Sequence, residues 1–388
     1  RLPQISKIIY IALLVRVLLI LFGHYIAPLP DSTKDAAGLE DLAWYYGQEG
    51  FLNALSLFPG FNSFFYSWIV GIIYSLFGRS VLIAQSLSLI FAIGYIVLSW
   101  FIAKKIWDER TAIRVGWVVA LFPSLILYSI LPLREVYCSF FLLVATIGIF
   151  YWVRFQGFKY VFLAMFGFTG AAFFHGPLIL GAVIFLFIIL TSAIRNFLNS
   201  LLNLRLNFQS FVLTVFAATF FYAIVSNVIY IPKLGYYEEL NLGYLVSESR
   251  ARMIGAASYS NILDITSATS IDIVYKIPLR MIYFLFSPFP WDIEKITHII
   301  GMIDGLLYML LFYLILSNIK IILKDPFLRI ILIILIGYFF MFSIGVSNFG
   351  AGLRHRTKFV IMMILLVGPF IPTLVFSNKN RLKKIIKK

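Results

Sequence analysis

Apolar residues in this chain come in long unbroken runs instead of alternating or returning at helical spacing. Runs near or above roughly 18 residues, the length a helix needs to cross a bilayer, recur along the whole length. They lie near 8–28, 80–103, 111–130, 136–153, 159–174, 177–193, 209–231, 296–318, 327–346 and 358–377. The pattern predicts an all-α polytopic membrane protein with about ten transmembrane helices. Polar intervals divide it into a transmembrane module, 1–231, an extracytoplasmic segment, 232–295, and C-terminal helices with a basic tail, 296–388.

One apolar stretch does not fit the series. "NSFFYSWIVGIIYSLFG", 62–78, is short, follows "FPG" and carries Asn62, Ser63, Ser67 and Ser75 among its aromatics. It reads as a helix lying in the membrane interface, inside a first outer loop that runs from 29 to 79. Part of that loop, "PLPDSTKDAAGLEDLAWYYGQEG" (28–50), gathers Asp31, Asp35, Glu40, Asp41 and Glu49 in a chain that otherwise avoids carboxylates.

Composition agrees with the pattern. The 388 residues are 61% hydrophobic and 13% charged, with mean hydropathy +0.95, too little charge to cover a soluble domain of this size. No small-residue cleavage site follows the first run, so it reads as a span and not as a removable signal. The one cysteine, Cys138, sits within an apolar run and reads as a small core residue. The net charge of +15 comes from short inter-span connections and the tail "NKNRLKKIIKK". That distribution fits membrane topology and anionic headgroups, and argues against nucleic acid as a partner.

The basic tail places the C-terminus in the cytoplasm. The connections at 103–114, 153–160, 194–207 and 319–325 carry Lys or Arg and belong on the same side, together with the N-terminus, provided that 62–78 does not cross. Nearly all acids then face outward. Asp108, Glu109 and Asp325 are the cytoplasmic exceptions, and Asp304 falls within a span. The outer segment 232–295 ends in "FLFSPFPWDIEK", where Pro288 and Pro290 forbid a regular helix.

Four polar groups meet at the outer face. They are the acidic loop; Arg134 and Glu135 in "LPLREVY"; His175 in "FFHGPL"; and Arg354, His355, Arg356 and Lys358 in "NFGAGLRHRTK". Each has a plain structural reading as a solvated loop, an ion pair at a helix end or a turn residue. The last cluster is the hardest to read that way, because positive charge is scarce on the outer side. Its flexible "GAG" would let backbone approach a ligand, and the cations suit a phosphate. A carboxylate facing such a cluster suits transfer of a sugar from a lipid phosphate. The carboxylate would take the acceptor's proton while the cations hold the departing phosphate.

"DAAGLEDLA", 35–43, resembles the D-A-x-G-Y-D-x-L-A stretch in the first outer loop of GT-C superfamily membrane glycosyltransferases, the group that includes protein O-mannosyltransferases and lipid A aminoarabinose transferases. Leu39 stands where that pattern often has Tyr. Residues 58–129 are similar to the family's juxtamembrane helix, second span, cytoplasmic turn and third span, and "SPFPW" resembles surface-polysaccharide enzymes of this kind. The resemblance implies a polyprenyl-linked sugar donor, inversion at the anomeric carbon, and Asp35 as base with Asp31 in reserve. Arg354 and Arg356 resemble the family's late R-x-R and would meet the carrier phosphate, helped by His355, Lys358 and Arg134. Glu135, His175, Glu40, Asp41, Arg280 and Trp291 are expected to contact substrate. Membrane lipid and a glycan, lipid or protein acceptor are the other partners. The location implied is a bacterial inner membrane with the site extracytoplasmic. No cofactor is required, although Asp31, Asp35, His175 and His355 could gather a divalent cation. Two other readings stay open: a polymerase of lipid-diphosphate-linked repeat units, and a transporter or flippase of lipid-linked sugars.

Overall fold

The computed structural model describes residues 4–33, 35–60, 62–203, 208–226, 259 and 270–372. In chain order its helices are α1 (Gln4–Tyr25), α2 (Asp35–Gly47), α3 (Phe51–Ser56), α4 (Phe65–Phe77), α5 (Val81–Ile106), α6 (Glu109–Leu121), α7 (Pro123–Ile130), α8 (Glu135–Phe155), α9 (Phe158–Phe174), α10 (Leu180–Leu202), α11 (Phe208–Val225), α12 (Ser270–Phe286), α13 (Ile296–Ser317), α14 (Ile319–Lys324), α15 (Pro326–Gly345), α16 (Phe349–Arg356) and α17 (Val360–Val367). Short 3-10 turns flank them at Gly176–Ile179, Pro290–Asp292, Thr357–Phe359 and Gly368–Phe370.

The chain is an all-helical integral membrane protein. Among the described residues six helices are long and apolar enough to cross a membrane, and a seventh span results if α6 and α7 are joined. The run 111–130, expected as one helix, is bent by 54° at Phe122–Pro123. Pro123 supplies no N–H and its ring collides with the preceding turn, so the run makes two helices. The run 159–174 gives a helix of 17 residues, shorter than a usual span. The run 358–377 gives a broken sequence of helical turns up to Phe370 and lies partly outside the described residues, as do most of 232–295 and the basic tail. The expected connection 194–207 begins as helix: α10 continues to Leu202, because "AIRNFLNSLLN" holds no Gly or Pro to stop it.

The bend is sealed from both sides by two charged residues from within apolar runs, Arg16 and Asp304. From α1, Arg16 donates to Ala120 O at 2.8 Å, Ala12 O at 3.2 Å and Ser129 Oγ at 2.9 Å. It thereby satisfies a carbonyl that the break leaves without a helical partner. From α13, Asp304 accepts the Ser124 N–H at 3.2 Å, one of the orphan donors opening α7.

The bundle has two chemically distinct ends. At one, Arg154 pairs with Asp325 at 3.6 Å, Trp107 Nε1 donates to Leu365 O at 3.0 Å and Arg114 to Pro369 O at 2.9 Å. Three of the basic connections therefore share that end. The opposite end of α8 carries Arg134 and Glu135 and is covered by α2, α4 and α16.

Helix α4 has 13 residues and rises about 20 Å, less than the roughly 30 Å of hydrocarbon it would have to cross. It packs on α2 where Gly47 meets Gly71; a Cβ on Gly71 would strike Tyr46 and the Ala43 carbonyl. Ser67 Oγ donates to Leu39 O at 2.7 Å across the same contact. Phe51, Leu52, Phe58, Phe64, Leu76 and Phe77 on α3, α4 and their flanks remain exposed, the composition of an interfacial surface.

Candidate functional site

The site forms where α2, α8 and α16 converge. Asn348 starts α16 by accepting the Gly350 and Ala351 N–H groups at 2.8 and 3.3 Å. The "GAG" stretch expected to be flexible is thus the first turn of a helix. That has a consequence for the R-x-R pair. Residues two apart on a helix point roughly 200° from each other, so Arg354 and Arg356 face different partners.

Arg354 faces the end of the bundle. Its Nε donates to Glu135 Oε1 at 2.8 Å, and its NH1 pairs with Asp35, 319 residues away in sequence. Lys358 Nζ lies 3.4 Å from the same Glu135 oxygen and 2.6 Å from His355 Nδ1. The His355 ring meets His175 edge-on at 5.0 Å between centroids. Glu135 is wholly buried, and its Oε2 has no hydrogen-bond partner among the described residues. Beside it, Arg134 NH1 donates to Ser63 O at 2.9 Å, tying the start of α8 to the segment before α4. Burial pulls the Arg134 pKa down from its usual value. Burial also opposes charge on Arg354, but attraction and hydrogen bonding by Glu135, with Asp35 beside it, leave that guanidinium above its usual value.

Arg356 turns the other way. It is fully buried and donates to Leu285 O at 2.8 Å, Ser287 O at 2.7 Å and Asp304 Oδ2 at 3.1 Å, with its guanidinium 4.7 Å from the Tyr308 ring centre. It is bonded into the bundle and does not stand beside Arg354. Arg280 is likewise buried, donating to Ser343 O, Ile344 O, Val346 O and Ser347 Oγ at 2.8 to 3.0 Å, and so closes the C-terminal end of α15. Trp291 is 72% exposed, stacks on Phe289 and donates to Tyr283 OH at 3.1 Å.

Glu49 accepts from Asn53 Nδ2 at 3.1 Å, and the other four loop acids separate into three settings. Asp35, the first residue of α2, has its side chain 73% exposed. Asp31 accepts from Tyr128 OH at 2.8 Å and holds φ at 61°, a left-handed conformation that Asp tolerates. Glu40 and Asp41 share Arg79: its NH2 lies 2.6 Å from Glu40, which also accepts from Tyr74 OH at 2.9 Å. Those hydrogen bonds push the Arg79 pKa further up, and the group clamps α2 to the end of α4. Beneath α2 a cavity of about 180 Å³ is lined by His24, Ser32, Ala37, Glu40 and Gln85, among others.

The sequence did not point to Tyr128, Tyr74, Ser63 or Arg79. Arg79 alone carried a signal, a cation in a loop assigned to the outer side, where cations are scarce. Among the described residues no three His, Cys, Asp or Glu side chains group so as to hold a metal ion.

What fold and site define together is a helical membrane protein with an Asp35–Arg354–Glu135–Lys358 charge cluster closing one end of its bundle. Comparison with family models, curated proteins and solved structures yields no match to this chain.

Proposed function

We propose that the chain is a membrane glycosyltransferase of GT-C type that moves a sugar from a polyprenyl-linked phosphate to a glycan, lipid or protein acceptor. The observation that carries this reading is the meeting of Asp35 with Arg354, which sets a base candidate beside a cation suited to phosphate. In the reaction, the acceptor oxygen forms its bond to the anomeric carbon while Asp35 takes the acceptor's proton. The bond from that carbon to the phosphate oxygen breaks on the opposite face, so the configuration inverts. The phosphate leaves with the electron pair, and Arg354 and Lys358 stabilise the charge it gains. Glu135 and His355 orient those two cations. The cavity beneath α2 lies on the same helix as Asp35 and offers room for part of the acceptor.

The charge cluster faces the outside of a bacterial inner membrane, both termini lie in the cytoplasm, and α3 and α4 rest in the outer interface. About ten membrane passages complete the bundle, with α9, α11 and the residues around α17 supplying those beyond the long apolar helices. The segment 232–295 gates the donor or selects the acceptor. No nucleic acid takes part.

The test is sugar transfer by the full chain in nanodiscs, with radiolabelled polyprenyl-phosphate monosaccharides, for wild type, Asp35→Asn and Arg354→Ala. Transfer that is lost in both variants while the fold survives is the expected result. No transfer from any monosaccharide donor, with chain growth from a lipid diphosphate oligosaccharide, would replace this reading with a polymerase. Passage of a lipid-linked sugar across the bilayer without either reaction would replace it with a transporter.

A further inference from the structure

Arg354 holds two carboxylates that are not equivalent. The Glu135 side chain is 0% exposed and the Asp35 side chain 73% exposed, while Arg354 itself is 11% exposed. Glu135 is also shared with Lys358 and sits at the first turn of α8, packed into the bundle. Asp35 sits at the surface end of α2. Removing the partner of a buried charge is costly, whereas an ion pair that reaches solvent contributes little net stability. An incoming anion would therefore replace Asp35 and leave Glu135 in place.

We infer that Arg354 is an exchange site, in which Glu135 is the permanent partner and the Asp35 carboxylate holds the position that a phosphate ester takes on binding. The guanidinium presents its donors as a rigid planar fork. Nε is committed to Glu135, and the NH1 that now meets Asp35 becomes available to phosphate oxygens. Exchanging one anion for another keeps two anionic partners on Arg354, so no buried charge is left uncompensated, and the released Asp35 carboxylate is solvated. No covalent bond changes.

The inference rests on the function proposed above and adds an order of events to it. While the phosphate site is empty, the base is held by Arg354. Once the phosphate is seated, Asp35 is released beside the ester it has displaced. The acceptor's proton can be taken only after the donor has bound, so the base is freed at the ester and nowhere else.

The phosphate could belong to a polyprenyl carrier or to a phospholipid headgroup, so the test carries both. The full chain in phosphatidylcholine nanodiscs is titrated with farnesyl phosphate and, separately, with dihexanoyl phosphatidic acid, for wild type, Asp35→Asn and Arg354→Ala. Asp35→Asn should bind farnesyl phosphate about five-fold more tightly than wild type, because the competitor for the guanidinium has lost its charge. Arg354→Ala should bind at least about ten-fold more weakly. Phosphatidic acid should bind less tightly than farnesyl phosphate. Equal binding of the two would keep the exchange and assign its phosphate to a phospholipid. Unchanged or weaker binding by Asp35→Asn, with Arg354→Ala still defective, overturns the exchange and leaves the phosphate site of the proposed function standing. Binding that ignores Arg354→Ala overturns both. Asp35 is exposed enough that its variant should fold, which its melting temperature checks.

Discussion

Asp304 accepts a hydrogen bond from Arg356 at 3.1 Å in the interior of the bundle, and its other oxygen accepts the Ser124 N–H at 3.2 Å. One carboxylate thereby joins α13 to the end of α16 and to the opening of α7. The opening of α7 exists because Pro123 breaks the helix before it. Arg356 is thus spent on structure, and the same short helix turns Arg354 to the charge cluster with Glu135 and Asp35.

Removing one member of this buried pair leaves the other charged and unpaired. Asp304→Ala and Arg356→Ala should each lower stability by about 3–5 kcal/mol, and the double variant should lose clearly less than the two losses added together. Unfolding by dodecyl sulfate in mixed micelles measures this. Strict additivity would mean that the two side chains do not depend on each other.

Arg16 has the corresponding role on the other side of the bend. Arg16→Met keeps the length of the side chain but leaves Ala120 O and Ser129 Oγ without this donor, which should cost about 1–3 kcal/mol. The same unfolding assay applies. A variant as stable as wild type would show that the carbonyl at the break needs no side-chain donor.

Close approach of α2 and α4 positions Asp35, and Gly71 permits it. Gly71→Ala puts a methyl group against Tyr46 and the Ala43 carbonyl, so the helices must separate. A stability loss of about 1–3 kcal/mol is expected, together with reduced sugar transfer. Stability lost with full transfer retained would free Asp35 from any dependence on this contact.

Asp35 and Glu40 are neighbours on one helix with different tasks. Asp35→Asn should reduce transfer about 10²–10⁴-fold with no change in melting temperature, as the loss of a general base does. Glu40→Gln should instead lower the melting temperature, because Tyr74 loses its anionic partner and Arg79 one of its two, and should keep most of the turnover. The opposite pattern would move the base to Glu40.

The candidate site was legible as a set of residues on one face and illegible as a set of pairs. Asp35, Arg134, Glu135, His175, Arg354, His355 and Lys358 were all singled out by polarity at the outer ends of apolar runs, and the fold brings them to one end of the bundle. Arg356 and Arg280 were singled out by the same logic and lie elsewhere. In a loop, R-x-R would offer both guanidinia to one ligand; Asn348 instead starts a helix that parts them. Glu40 and Asp41 went to Arg79 because α4 folds back onto α2, a contact that no spacing in the chain announces.

The sequence by itself determined that this is a helical membrane protein, since the transfer of a long apolar run into lipid depends on the run alone. The bend in 111–130 has a local cause in Pro123, yet the apolar run reads as one span and the break shows only in the structure. Tertiary structure alone decided which charge meets which. Arg16 found the carbonyl of Ala120, Asp304 found Ser124 and Arg356, and Arg354 found Asp35 from 319 residues away. Each of those pairings depends on helix rotation and packing, so the cost of leaving a polar group unpaired in the membrane is met by neighbours in space and not by neighbours in the chain.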